Sequence, residues 1–254
     1  MLIKSAKQRK TEKVYKSYEH ISQDYDAMND ITSLGMHRVW KLKVAEEIKR
    51  KKFSRILDLC CGTGDMALLL ASGNPGASVT AADFSGEMLK VAQRRKNKKD
   101  LTNIEFVKCN AEKLPFHNGA FDCVVISFGL KSVADCEQVM REMYRLVRPG
   151  GFVYCLETYA PQEAKVKTAY DAYRNLVVPV VGGALAGKGA EYRRIASVGG
   201  KFLSKKEVVR LMQKTGFSKV GYLNQLGGIA ACHRGQKPEN ESSAEEKSVL
   251  YVKK

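Results

Sequence analysis

Between residues 53 and 157, short apolar runs alternate with segments of helical character, and no other feature of the sequence constrains its fold as tightly. Arg55–Cys60 leads into a helical pattern from Asp65, and Ser78–Ala82 leads into another from Gly86. Ile104–Cys109 and Phe121–Ser127 follow, and a helical stretch near Glu137–Val147 precedes Gly151–Glu157. Strands alternating with helices predict right-handed crossovers and a mostly parallel sheet buried on both faces. Further on, a helix over Ser204–Met212, opened by Ser204 with Glu207 three residues later, precedes two more strands, Lys219–Asn224 and Gly228–His233. The predicted fold class is α/β, a doubly wound, mostly parallel sheet of seven strands.

The flanks are read from period and composition. Residues 1–52 form a helical cap, because Val14, Tyr18, Ile21, Tyr25 and Met28 recur at helical spacing. The main domain spans 53–235, with 158–203 as an insertion covering the carboxyl edge of the sheet, and 236–254 has the polar composition of a disordered tail. Arg148–Gly151 is a turn that ends one helix and admits the next strand.

Composition narrows the setting. The longest apolar stretch, Leu176–Ala186, is shorter than the roughly 20 residues a membrane-crossing helix needs, and Pro179 interrupts it. The first ten residues are charged without an apolar segment behind them, so no secretory signal is expected and a cytoplasmic location is. Seven cysteines, at 60, 61, 109, 123, 136, 155 and 232, lack a Cys-x-x-Cys pair and suit reduced thiols, so no metal is expected. The formal net charge of +16 suits an anionic membrane face better than nucleic acid, for which no recognition motif is present.

The segment Leu57–Asp65 runs from a strand through a glycine-rich turn into a helix. Gly62 and Gly64 let the backbone turn tightly and approach a ligand, and Asp83, at the end of the next strand, is placed to accept from both hydroxyls of a ribose. Gly62-x-Gly64-x-x-Ala67 also satisfies a loose dinucleotide pattern. Charge separates the two readings: Asp58 and Asp65 flank the turn and would oppose a pyrophosphate, whereas the ammonium and sulfonium of S-adenosyl-L-methionine would be attracted. Two more strand ends converge on the same edge. Cys109–Phe116 can address an adenine ring, and Ser127 and Phe128 fall beside the expected methionine moiety.

These residues resemble the ubiquinone/menaquinone biosynthesis C-methyltransferases over nearly all of 14–235. The resemblance is carried by Tyr25–Asp30 with Gly35–Trp40, Leu57–Asp65, Asn110–Phe116, Phe121–Leu130, Met143–Gly151 and Gly227–Gly235. Of these, Tyr25–Asp30, Ser127–Leu130 and Gly227–Gly235 are the specific ones, and the glycine turn and Pro149–Gly151 are shared more widely. The resemblance implies a class I, Rossmann-like methyltransferase that moves a methyl group to a ring carbon of a prenylated, lipophilic quinol. Its implied cofactor contacts fall on Thr63, Asp83, Asn110, Ala111 and Ser127, beside Asp58, Gly62 and Gly64 from the turn. The sequence departs from the family pattern at Lys131-Ser132 in place of Arg-Asn, at Glu157–Pro161, and at Tyr192–Ile195.

Carbon methylation needs an electron-rich ring carbon, which an ionised neighbouring hydroxyl supplies. Lys131 is the first candidate to favour that ionisation, by its charge or through a water. Glu157, Tyr159 and His37 are weaker candidates, and His37 is read first as cap packing. A homodimer and peripheral contact with an anionic membrane complete the expected partners. The rival readings are a methyltransferase of another phenolic, sterol-like or natural-product acceptor, and a non-catalytic nucleic-acid-binding protein.

Overall fold

A computed structural model describes residues 15–161, 167–168, 172, 203–239 and 252–253. Val14, nearly all of the 158–203 segment, including 176–186 and 192–195, and most of 240–254 lie outside the described residues.

The sheet is built from β1 (Arg55–Leu59), β2 (Ser78–Asp83), β3 (Ile104–Lys108), β4 (Phe121–Ser127), β5 (Val147–Thr158), β6 (Ser218–Gln225), β7 (Ala230–Gln236) and the two-residue β8 (Val252–Lys253). Their spatial order is β3-β2-β1-β4-β5-β7-β6-β8. The first five strands are mutually parallel, and β7 runs antiparallel between β5 and β6. The seven expected strands are present; the eighth pairs Val252 and Lys253 with Tyr222 and Leu223.

From β1 the backbone winds outward through β2 and β3, then returns to β4 on the other side of β1. Helices leaving β1 and β4 therefore part in opposite directions and leave a crevice at their carboxyl ends. Strand residues alternate between two apolar layers, as a period of two requires. Ile56, Cys123 and Val125 join one layer with Trp40, Val44, Ile48, Met66 and Leu70. Leu57, Leu59, Val124 and Ile126 join the other with Met140, Met143, Val208 and Met212. Asp58 shares the phase of Ile56, so its carboxylate is directed into the first layer.

The cap consists of a helix described over residues 15–21 (α1), α2 (Tyr25–Ser33) and α3 (Met36–Arg50). Leu34 and Gly35, both left-handed with φ of 51° and 73°, separate α2 from α3. Ile21 and Met28 are buried, as the spacing predicts. Four more helices follow: α4 (Asp65–Gly73), α5 (Gly86–Asn97), α6 (Cys136–Leu146) and α7 (Lys205–Thr215). In α7 the Glu207 amide donates to Ser204 Oγ at 3.3 Å and the Ser204 amide to Glu207 Oε2 at 2.7 Å, a reciprocal cap that fixes its start.

Arg148–Gly151 does not form the separate turn expected from Pro and Gly. It is drawn into β5, where the pairing with β4 shifts register between Phe121 and Cys123. The Gly150 amide donates to the Lys237 carbonyl and the Lys237 amide to the Gly151 carbonyl, both at 2.9 Å, so the neighbouring strand supplies ladder partners. Gly150 takes φ of 75°, and the result is a bulge within a continuous strand. Ordered structure thus reaches Lys237, whose Nζ also donates to the carbonyls of Tyr144 and Val147.

Candidate functional site

A pocket enclosing about 620 Å³ of empty space, part of it open to solvent, lies at the crevice between β1 and β4. Leu59, Cys60 and Gly62 form its floor at the end of β1, and Ala82 and Asp83 its side at the end of β2. Ala111, Ser127 and Phe128 close it from the ends of β3 and β4. The turn bends sharply: Cys60, Gly62 and Gly64 all have positive φ, at 56°, 55° and 86°. A Cβ on Gly64 would stand 2.9 Å from Ala92 Cβ, so the close approach of α4 to α5 requires glycine there.

Asp83 is buried. Its Oδ2 accepts from the Gly62 amide at 2.8 Å and its Oδ1 from the Ser85 amide at 2.9 Å. Burial raises its carboxyl above the ordinary range, against the pull of the Ser85, Gly62 and Phe84 amides. With three amides shared between two oxygens, the carboxylate still keeps accepting capacity for a ligand hydroxyl.

Among the described residues, buried side-chain polar atoms without a hydrogen-bond partner occur at His37, Trp40, Asp58, Ser127 and Tyr154, and two of these residues are predicted cofactor contacts. One is Ser127, with its Oγ on the pocket wall; the other is Asp58, unpaired at both carboxylate oxygens. Burial pushes the Asp58 carboxyl up to about 8, with Lys41 and the Ala67 amide opposing. Unpaired buried polar atoms are costly, and a hydrogen-bonding ligand in the pocket would relieve Ser127.

The electrostatic expectation for the turn needs correction: Asp65 is not free to attract a ligand. Lys41 Nζ donates to its Oδ2 at 3.1 Å and Arg95 Nη2 to its Oδ1. Burial alone would raise this carboxyl, but His37, Lys41 and Arg95 together hold it far below the ordinary range. Asp83 is the carboxylate that lines the pocket; Asp58 does not line it, its side chain lying buried near Lys41 and Ala67.

The remaining predicted residues divide. Thr63 is buried beside the turn, but its hydroxyl donates to Asp26 Oδ1 at 2.6 Å. Ala111 lines the pocket; Asn110 is exposed, outside the wall, and its Oδ1 accepts from the Glu112 amide at 2.9 Å. Lys131 Nζ lies 2.9 Å from Oε1 of the fully buried Glu157, which also accepts from the Thr158 amide at 2.9 Å. Lys131 adjoins Ser132, which lines the pocket, whereas Tyr159 Oη sits 3.5 Å from His233 Nδ1, off the wall. His37 Nδ1 is 2.8 Å from Ser33 Oγ inside the cap and does not reach the pocket.

Sequence reasoning missed the cap's part in the wall. Tyr15, Tyr18, Tyr25 and Phe84 all line the pocket, Tyr15 stacking on Phe84 with ring centroids 4.0 Å apart, and Tyr18 Oη lies 2.7 Å from Ser132 Oγ. The signal was present in the aromatic spacing of the cap, but a helical stripe of tyrosines is equally a packing face.

The strand order, the glycine turn and the acidic end of β2 define an S-adenosyl-L-methionine-dependent methyltransferase. The cofactor would be held by Asp83, Ser127, the Gly62 turn and Ala111. The family model of the ubiE/COQ5 methyltransferases matches residues 5–237, and the chain belongs to that family. It is 38% identical over 233 residues to a protein of Listeria monocytogenes named demethylmenaquinone methyltransferase, covering 91% of this chain and 98% of the relative. A Pectobacterium atrosepticum protein named ubiquinone/menaquinone biosynthesis C-methyltransferase UbiE is 38% identical over 234 residues, 91% of this chain and 93% of its own. The fold is shared with a Thermotoga maritima structure described as a SAM-dependent methyltransferase, possible histamine N-methyltransferase, with a TM-score of 0.60 at 18% identity over 88% of this chain and 99% of that one.

Proposed function

We propose that the protein methylates a ring carbon of a prenylated quinol, a demethylmenaquinol or a ubiquinol precursor. The observation that carries this reading is relatedness along nearly the whole sequence to proteins named for that reaction. The pocket agrees with it, because the wall contributed by the cap and by β4 is aromatic and would accept a flat, greasy ring.

When bound, S-adenosyl-L-methionine supplies an electrophilic methyl group on a sulfonium. The protein must align the acceptor carbon and favour an ionised ring hydroxyl beside it. Lys131 suits the second task as a fixed positive charge: paired with Glu157, its ammonium has no lone pair with which to act as a base. In this reading Glu157 holds Lys131 in place, while Tyr159, off the pocket wall beside His233, and His37, in the cap, have no part in the chemistry.

A lipophilic acceptor and a charge of +16 also support cytoplasmic residence with peripheral contact at an anionic leaflet, and a homodimer belongs to the same reading. Among the described residues no helix is long and apolar enough to cross a membrane. Incubation with labelled donor, a lipid extract and a panel of soluble phenols, followed by mass spectrometry, tests the assignment. Label on a quinol is expected. Label on a soluble phenol with none on the quinols would favour another acceptor, in keeping with the departures at Lys131-Ser132.

A further inference from the structure

A charged knot at the rim of the pocket joins three segments that are far apart in sequence. Arg95, on α5, directs Nη1 to Asp26 Oδ2 at 2.8 Å, to the Thr63 carbonyl at 3.0 Å and to Thr63 Oγ1 at 3.2 Å. Its Nη2 reaches Asp65 Oδ1 at the start of α4. The other oxygen of Asp26 accepts the Thr63 hydroxyl at 2.6 Å. The cap, the glycine turn and α5 are thus held by one guanidinium, whose planar fork can serve several acceptors at once where a lysine cannot.

The knot bears on the pocket through its neighbours. Tyr25, adjacent to Asp26, lines the cavity, and its ring would lie 3.9 Å from a Cβ on Gly62. Tyr15 and Tyr18, one helix earlier, complete that wall. The Thr63 carbonyl and hydroxyl are both engaged by the knot, which therefore sets the orientation of the peptides flanking Gly62 and Gly64. Without Arg95, Asp26 and Asp65 would lose the cation they share, leaving Lys41 on one oxygen of Asp65.

We propose that Arg95 is a positioning residue for the methyl donor: by tying Asp26 to the Thr63–Asp65 turn, it makes seating the cap and holding the donor a single event. Arg95 touches neither the donor nor the acceptor in this role; it acts through Asp26 and Thr63. A purely structural Arg95 would support folding without linking donor affinity to Asp26.

Two measurements separate these cases. Calorimetry gives the dissociation constant of S-adenosyl-L-methionine for the parent protein, Asp26→Asn, Arg95→Ala, Arg95→Lys and the double variant Asp26→Asn/Arg95→Ala. Hydrogen exchange over residues 15–33 is followed with and without the donor. Each of Asp26→Asn and Arg95→Ala is expected to weaken binding about tenfold, the double variant no more than the weaker single one, and Arg95→Lys to fall between. The donor is expected to slow exchange over 15–33 in the parent protein and not in the variants. Parent-like affinity in Asp26→Asn, additive losses in the double variant, or no donor-dependent protection of 15–33 in the parent protein would overturn the proposal. Where Arg95→Ala does not fold, Asp26→Asn and Arg95→Lys carry the same comparison. Binding to the parent protein is read in the same titration, so failure of the knot is distinguishable from failure of the cofactor assignment.

Discussion

Single residues carry most of the chemistry, and Asp58 and Lys131 give the sharpest consequences. The buried Asp58 carboxyl titrates at about 8 in the folded protein and near 4 when unfolded. Across that window the native state holds a proton the unfolded state has released, so stability falls as pH rises. His233 opposes this at lower pH: burial pulls it down to about 4 from 6.5, so stability rises with pH between those values. From pH 6.5 to 8 the Asp58 effect dominates. Thermal unfolding without donor is expected to show a declining midpoint over that range, and Asp58→Asn to flatten it; an unchanged slope in the variant would refute the assignment. For Lys131, simple removal would leave Glu157 charged and buried alone, which costs about 3–5 kcal/mol. The informative variant is therefore Lys131→Met with Glu157→Gln. Turnover is expected to fall by about 100-fold or more with donor affinity unchanged, and full turnover would remove Lys131 from the mechanism.

Elements follow local rules that the sequence states openly in some places and hides in others. The capping box at Ser204 and Glu207 was legible, and replacing Ser204 with Ala is expected to cost about 1 kcal/mol, measurable by denaturant unfolding. The glycine turn was legible too. Gly64→Val would force a branched side chain to φ of 86° against Ala92, and a loss of about 2 kcal/mol or more is expected together with loss of donor binding. The fate of Arg148–Gly151 was not legible, because Pro and Gly mark a turn by local preference, whereas the partners that hold the segment in β5 come from Lys237, almost ninety residues later in the sequence. The aromatic wall was hidden for a similar reason. Tyr15, Tyr18 and Tyr25 read as a packing stripe until the fold sets them across from Asp83 and Phe84. The ion pairs of Asp65 with Lys41 and Arg95 could not be foreseen either, since residue spacing says nothing of cations brought by α3 and α5.

At the scale of the whole molecule, the winding order follows from alternating strands and helices, and it alone puts the ends of β1, β2, β3 and β4 at one crevice. That is why Asp83, Ala111 and Ser127 were identified as one site from segments that are distant in sequence. The surface combines a charge of +16 with exposed Leu34, Val39, Leu42, Leu223 and Leu226. Co-sedimentation with vesicles containing anionic lipid is expected, falling as salt rises, with little binding to neutral vesicles; equal binding to both would refute an electrostatic attachment. The central claim, that the crevice between β1 and β4 holds S-adenosyl-L-methionine through Asp83, is tested most directly by calorimetric titration of the parent protein and Asp83→Ala. Saturable binding to the parent protein is expected, with affinity reduced by about tenfold or more in the variant, as loss of hydrogen bonds to a charged group implies. Equal affinity in a folded Asp83→Ala variant, or no binding to the parent, would contradict it.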